Sequence, residues 1–210
     1  MNIRYYISKI LKKLHIPAIK RSKIHDTSKV GSFSNLLNVN IGKYSYIGNF
    51  STIIYADIGN YCSVADNVVI GGASHPIDWI STSPVFYSGK NIMNKHFSSL
   101  PYQPYKRTII KNDVWIGSNC LIKAGIIIDN GAIIGMGSVV TKNIGAYEIW
   151  AGNPAKMIRK RFTDEEIIKL INSSWWDWND EKINFFSNII NDKEKFFEYL
   201  LKYKDEFKGS

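Results

Sequence analysis

From Ile110 onward an aliphatic residue returns at every sixth position: Ile110, Ile116, Ile122, Ile128, Ile134 and Val140. Gly117 and Gly135 follow two of them, and small residues stand two places before the next aliphatic at Cys120, Ala132 and Ser138. Earlier in the chain the same pattern runs with one residue fewer per three units. Val30, Ile47 and Val64 are 17 apart, as are Leu36, Ile53 and Ile70, and Ile41 and Ile58; the small positions are Ser45, Ser51, Ala56 and Cys62. Eighteen residues, or seventeen with one short side, describe three flat faces and three corners.

A six-residue unit cannot bury its own aliphatic side chain. Stacked coils can, because each residue then rests on its equivalent ~4.8 Å above. The interior narrows at the corners, so the second inward position is expected to be small, and both cysteines read as packing residues without a redox role. Glycine at a turn permits positive φ. The pattern predicts an all-β solenoid, a parallel β-helix of hexapeptide repeats over about 30–71 and 108–152, with about five coils. Periodicity leaves the handedness open, and parallel crossovers are normally right-handed.

Between the two stretches the rhythm fails. "VIGGASHPIDW", residues 69–79, breaks the repeat after Ile70, sets a histidine at position 75, and is followed by a long loop before the pattern resumes. The organisation that follows is a basic amphipathic segment over 1–28, the β-helix over 29–162 with an insertion at 72–107, and a helical extension over 163–210. Ile3, Tyr6, Ile7, Ile10, Leu11 and Leu14 predict an N-terminal helix over 3–14, ended before Pro17. Thr163 and Glu166 form a capping-box pattern, and apolar spacing continues helically through 180–204. "SSWWDW", residues 173–178, reads as a plug on the coil end or a subunit surface.

Composition narrows the function. Of 210 residues 45% are hydrophobic, yet no run approaches the roughly 20 apolar residues of a membrane span. Lys9, Lys12 and Lys13 interrupt any signal-peptide core, so a cytoplasmic protein is expected. Two cysteines and four scattered histidines have no metal-ligand spacing, and no metal is expected. Residues 1–162 hold 20 Lys/Arg against 7 Asp/Glu, a balance of +13, whereas 163–210 hold 7 against 11, a balance of −4. A basic body suggests an anionic partner such as a phosphorylated cofactor or an acidic membrane. Nucleic acid is disfavoured, since no recognition-helix, zinc-finger or RNA-binding signature is present. The first 25 residues carry seven Lys/Arg and no acid. They either pack on the β-helix or a neighbouring subunit, or contact an anionic membrane at its inner face.

"NDVWIGSNCLIKAGIIIDNGAIIGMGSVVTKNI" followed by "AGNPAKMIRKRF" resembles the C-terminal coils of hexapeptide-repeat acyltransferases. With "GGASHP" ahead of a long loop and "SSWWDWNDEKI" near the end, residues 28–185 most resemble the xenobiotic acetyltransferase branch, which includes type B chloramphenicol and streptogramin acetyltransferases and polysaccharide O-acetyltransferases. The resemblance implies a left-handed β-helix, a homotrimer with active sites between subunits, and acetyl-CoA as acyl donor. It implies His75 as the general base for direct transfer, a role that suits an imidazole with a pKa near ~6.5. Matched motif to motif, Trp115, Ser118, Met136, Thr141, Lys142, Lys156 and Arg159 fall at cofactor-contacting positions. Met136 replaces a smaller residue of related sugar acetyltransferases. Lys156 stands where those enzymes carry arginine, and meets phosphate as a point charge without a fork.

The acceptor is less legible. Trp79 and Tyr87, with Phe86, Tyr102 and Tyr105, give the loop aromatic faces that suit a sugar ring or an apolar antibiotic. "STSPVFYS" resembles polysaccharide O-acetyltransferases, so a hydroxyl of a bacterial surface carbohydrate or its precursor is the first expectation. Chloramphenicol or streptogramin acetylation is the alternative, and a non-catalytic scaffold is the reading from another class. His96 lies in the loop, while His15 and His25 lie outside the repeat.

Overall fold

The computed structural model describes residues 3–14 and 16–203, so His15 lies outside the described residues. Three inward columns build the body. On the first face Ile19, Leu36, Ile53, Ile70, Ile122 and Val140 stack in parallel register. On the second, Ile24, Ile41, Ile58, Ile110, Ile128 and Ile144 do so. The third holds Val30, Ile47, Val64, Ile116, Ile134 and Trp150. Six members per column make six coils, one more than the spacing from residue 30 predicts. The added coil lies at the start, where the 17-residue interval reaches back to Ile19 and Ile24. The insertion costs no register: Ile58 pairs with Ile110 as it would with the next repeat.

The corners explain the small residues. Ser28 Oγ donates to Gly42 O at 2.6 Å and accepts from Ser45 N at 2.9 Å. Ser45 Oγ repeats this on Gly59 O and Cys62 N, at 2.7 and 2.9 Å. Cys62 continues the column, its thiol lying 2.9 Å from Lys111 O. Each hydroxyl thus satisfies one donor and one acceptor of the next coil, which matters because an unmade buried bond costs about 1–3 kcal/mol. Val68, Val114 and Ile126 are larger than the sequence pattern predicts at this position, yet all are buried. Val68 and Val114 fit because smaller residues precede and follow them along the axis: Ser51 and Cys120, and Cys62 and Ala132.

One corner differs from the others. The strands Asn35–Ile41 and Thr52–Ile58 run unbroken across the first and second faces. Leu36 and Ile41, like Ile53 and Ile58, are only five positions apart, which is the short side of the 17-residue coil. The chain leaves the solenoid at this corner in its fourth coil. Gly71 makes the exit with φ of 78°, and a Cβ there would run into the Ile54 carbonyl oxygen, so the position favours glycine.

The chain divides into compact units at residues 159 and 160. Helix α1, Ile3–Leu14, matches the expected span. Beyond the body, α2 covers Asp164–Ser173 with the expected capping box of Thr163 and Glu166. The apolar stretch expected as one helical run over 180–204 is two helices, α3 at Asp180–Ser187 and α4 at Lys193–Lys202. Asp192 caps α4 by accepting from Lys195 N, a break that the hydrophobic spacing hides. Trp176 is buried, and Trp178 packs on Phe186 and Phe196 with ring centroids 4.7 and 6.0 Å away.

Candidate functional site

The insertion is tied down at both ends. At its start Ser74 N donates to Pro104 O at 2.7 Å, and Ser74 Oγ lies 3.0 Å from the Tyr102 hydroxyl. At its end Arg107 pairs with Asp57 at 2.8 Å and reaches Asn38 Oδ1 at 2.7 Å. Tyr105 stacks on Tyr55 at 4.5 Å. These contacts bring the two ends of a 36-residue excursion, 72–107, onto one corner.

His75 is exposed, and its Nδ1 lies 2.8 Å from the Thr82 carbonyl oxygen. A carbonyl only accepts, so Nδ1 carries the proton and donates it. In the neutral ring Nε2 is then left with its lone pair, the state a general base needs. The Tyr87 hydroxyl stands 3.4 Å from the same Nδ1, a longer and weaker contact. Trp79, Tyr87 and Tyr102 form an edge-to-face and tilted ring cluster beside the histidine, with centroid separations of 5.0 to 6.3 Å. Burial, with Tyr102 and Tyr105 nearby, pushes the Tyr87 phenol above its ordinary pKa, so it stays protonated. Tyr87 is buried in the isolated chain and its ring packs against His75 and Trp79. Its ring thus lies beside the histidine within the loop's aromatic cluster, while Trp79 is half-exposed.

The other expected residues fall into separate groups. Ser118 and Met136 occupy equivalent places in consecutive coils at the corner between the third and first faces. Gly137 N donates to Ser118 O at 2.8 Å there. The coils approach closely here: a Cβ on Gly117 would sit 2.6 Å from Met136 N, whereas a Cβ on Gly137 would meet open space. Met136 is 78% exposed. Trp115 is half-exposed on the third face, in register with Ser63 and Ile133. Thr141 and Lys142 lie at the first–second corner, the one from which His75 departs, two coils farther along. Lys156 and Arg159 lie exposed on the final strand, Ala155–Lys160, which pairs beside Glu148–Gly152. One chain therefore brings His75, Thr141 and Lys142 to one corner and Ser118 and Met136 to another.

Sequence reasoning leaves the partner of His75 unassigned and misses Arg107, Asp57 and Asn38. A backbone carbonyl carries no residue-type signal, and the partners of Arg107 lie 50 and 69 positions away. Among the described residues no three or more His, Cys, Asp or Glu side chains gather into a group that could hold a metal. No helix among them is long and apolar enough to cross a membrane.

A family profile described as "Bacterial transferase hexapeptide (six repeats)" matches residues 107–142. A chloramphenicol acetyltransferase of Klebsiella aerogenes is 46% identical over 127 residues, 58% of this chain and 59% of that protein. The chain thus spans about three fifths of that relative's length. A probable macrolide acetyltransferase of Lysinibacillus sphaericus is 40% identical over 146 residues, 68% of this chain and 80% of that protein. Among solved structures, the N-acyltransferase AntD from Bacillus cereus, in complex with dTDP and 3-hydroxybutyryl-CoA, superposes with a TM-score of 0.53 at 18% identity. The match covers 80% of this chain and 94% of that one, a likeness of fold. With coils, corners and insertion in place, and a relative matched over most of its length, the chain belongs to the hexapeptide-repeat transferase family.

Proposed function

We propose that the protein is an acetyl-CoA-dependent O-acetyltransferase with His75 as general base. The observation that carries this reading is the 2.8 Å bond from His75 Nδ1 to the Thr82 carbonyl, which leaves Nε2 free to accept a proton. The ridge at Ser118, Gly117 and Met136, lined by small residues and the exposed Met136, fits the narrow arm of coenzyme A. Lys142, Lys156 and Arg159 supply exposed cations for its phosphates, and Trp115 and Thr141 complete the expected contacts. Bound acetyl-CoA supplies an activated acetyl group and a thiol as leaving group. Nε2 of His75 takes the proton of the acceptor hydroxyl as its oxygen bonds to the acetyl carbon; the C–S bond breaks, and the imidazolium, stabilised by its Nδ1–H bond to Thr82, returns the proton to the departing sulfur.

His75 and Ser118 sit at different corners of one chain. A site that uses both is built from two chains, which supports the homotrimer with sites between subunits that the family resemblance implies. Two acceptor classes remain in play. The relatives' names favour a hydroxyl-bearing antibiotic such as chloramphenicol, a streptogramin or a macrolide. The aromatic faces around Trp79 and Tyr102 suit a carbohydrate of the bacterial surface or its precursor, reached from the cytoplasmic side.

The test is thiol release from acetyl-CoA against chloramphenicol, a streptogramin, a macrolide, sugars and nucleotide sugars. Turnover with any hydroxyl acceptor, lost in His75→Ala, supports the reading. No turnover with any acceptor, and no thermal shift with millimolar coenzyme A, would favour a scaffold. Mixing inactive His75→Ala subunits with inactive subunits altered at Ser118 and Met136 tests the shared site, because partial recovery requires residues from two chains.

A further inference from the structure

We propose that α1 and the basic segment behind it form a docking surface for an anionic lipid bilayer. The inference is independent of the acceptor and of acetyl transfer. Ile3, Tyr6, Ile7, Ile10 and Leu11 recur at spacings of three and four and so share one stripe of the helix. Ile3, Ile7, Ile10 and Leu11 are 71%, 50%, 61% and 53% exposed, so the rest of the described chain leaves these aliphatic side chains open, and Tyr6 beside them is 48% exposed. Ile16 just beyond is 81% exposed. A 12-residue helix is marginal in water by itself. Its apolar stripe calls for a cover.

Charge selects the cover. Arg4 and Lys9 lie outside the apolar stripe, and Lys20, Arg21 and Lys23 follow in exposed positions, with no acid before Asp26. The coil body of a second copy is itself basic, 13 Lys/Arg against 6 Asp/Glu or +7 over residues 29–162, and repels such a segment. An anionic bilayer supplies both apolar depth for the stripe and negative charge for the flanks. At roughly 1.5 Å per residue the helix is about 18 Å long, too short to cross a hydrocarbon core of about 30 Å, so it lies in the surface plane.

The experiment is flotation of the full chain with phosphatidylcholine vesicles, with and without phosphatidylglycerol. Size exclusion and thermal unfolding of every variant accompany it. Wild type is expected to float with the anionic vesicles and to release as salt rises. Arg4→Gln with Lys9→Gln should weaken binding about thirtyfold. Ile7→Asp with Ile10→Asp should abolish it while the coil body keeps its melting temperature. Failure of wild type to float, or flotation unchanged in both double variants, overturns the proposal. Dissociation of the oligomer by Ile7→Asp with Ile10→Asp, with vesicle binding intact, overturns it in favour of a second copy, whose acidic residues 163–210 would then be the partner.

Discussion

The coil body and the insertion at 72–107 share one corner and are held by different kinds of order. In the body the inward packing and corner contacts recur from coil to coil. A Ser28 that bridges to the next coil is followed by a Ser45 and then a Cys62 doing the same, and isoleucine rests on isoleucine throughout the second column. In the insertion each contact occurs once: Ser74 with Tyr102, Arg107 with Asn38, His75 with Thr82. Repetition gives rigidity that tolerates exchange of equivalents. Single contacts give a defined chemical geometry that no neighbour can restore.

That contrast sets the expected size of each perturbation. The largest concerns the insertion's histidine. His75→Ala should lower kcat by about 10²–10⁴ at saturating acetyl-CoA while leaving the denaturation midpoint unchanged, because the side chain is exposed. Turnover within threefold of wild type would remove the base from the mechanism. In the body, Ile116→Ala should cost about 2–5 kcal/mol in chemical denaturation, since the side chain is wholly buried between Val64 and Ile134. Ile80→Ala, fully exposed in the insertion, should stay within about 0.5 kcal/mol. Equal losses at the two sites would erase the distinction.

A smaller effect is expected where one corner residue is exchanged for its own equivalent. Cys62→Ser should change stability by less than about 1 kcal/mol, because serine already fills that place in the coils before it. Burial pushes the Cys62 thiol up to about 12 from 9.0. The folded protein should therefore resist thiol reagents at pH 8 and react only after unfolding. The raised pKa contributes stability below pH 9 that is lost as the pH climbs toward 12, which denaturation curves across that range would register. The smallest effect belongs to Tyr87→Phe. Its hydroxyl is 3.4 Å from His75 Nδ1 against 2.8 Å for the Thr82 carbonyl, so the carbonyl dominates. Activity should remain within about threefold, with the pH–rate profile unmoved; a displaced profile would give the phenol a share in setting the histidine.

Legibility follows the same division. Ile116, Ile122 and Ile134 can be placed from spacing alone, and α1 is readable from its apolar stripe. The first coil escapes a count that begins at Val30, although Ile19 and Ile24 keep the interval. Val68 and Val114 depart from the small-residue rule because room at a corner is shared with the coils before and after. His75 is legible as a residue and as a candidate base. Its partner is not, because the bond goes to main chain.

The sequence by itself determined the periodic part: which side chains point inward, where the corners fall, and where the repeat breaks. It could do so because local spacing and stacking repeat the same physical problem at every coil. Only the tertiary structure decided that the short corner is the corner of the insertion, that Thr82 holds His75, and that Ser118 and Met136 lie at a different corner from the base. Those relations depend on how distant segments meet in space, and no single stretch of chain encodes such a meeting.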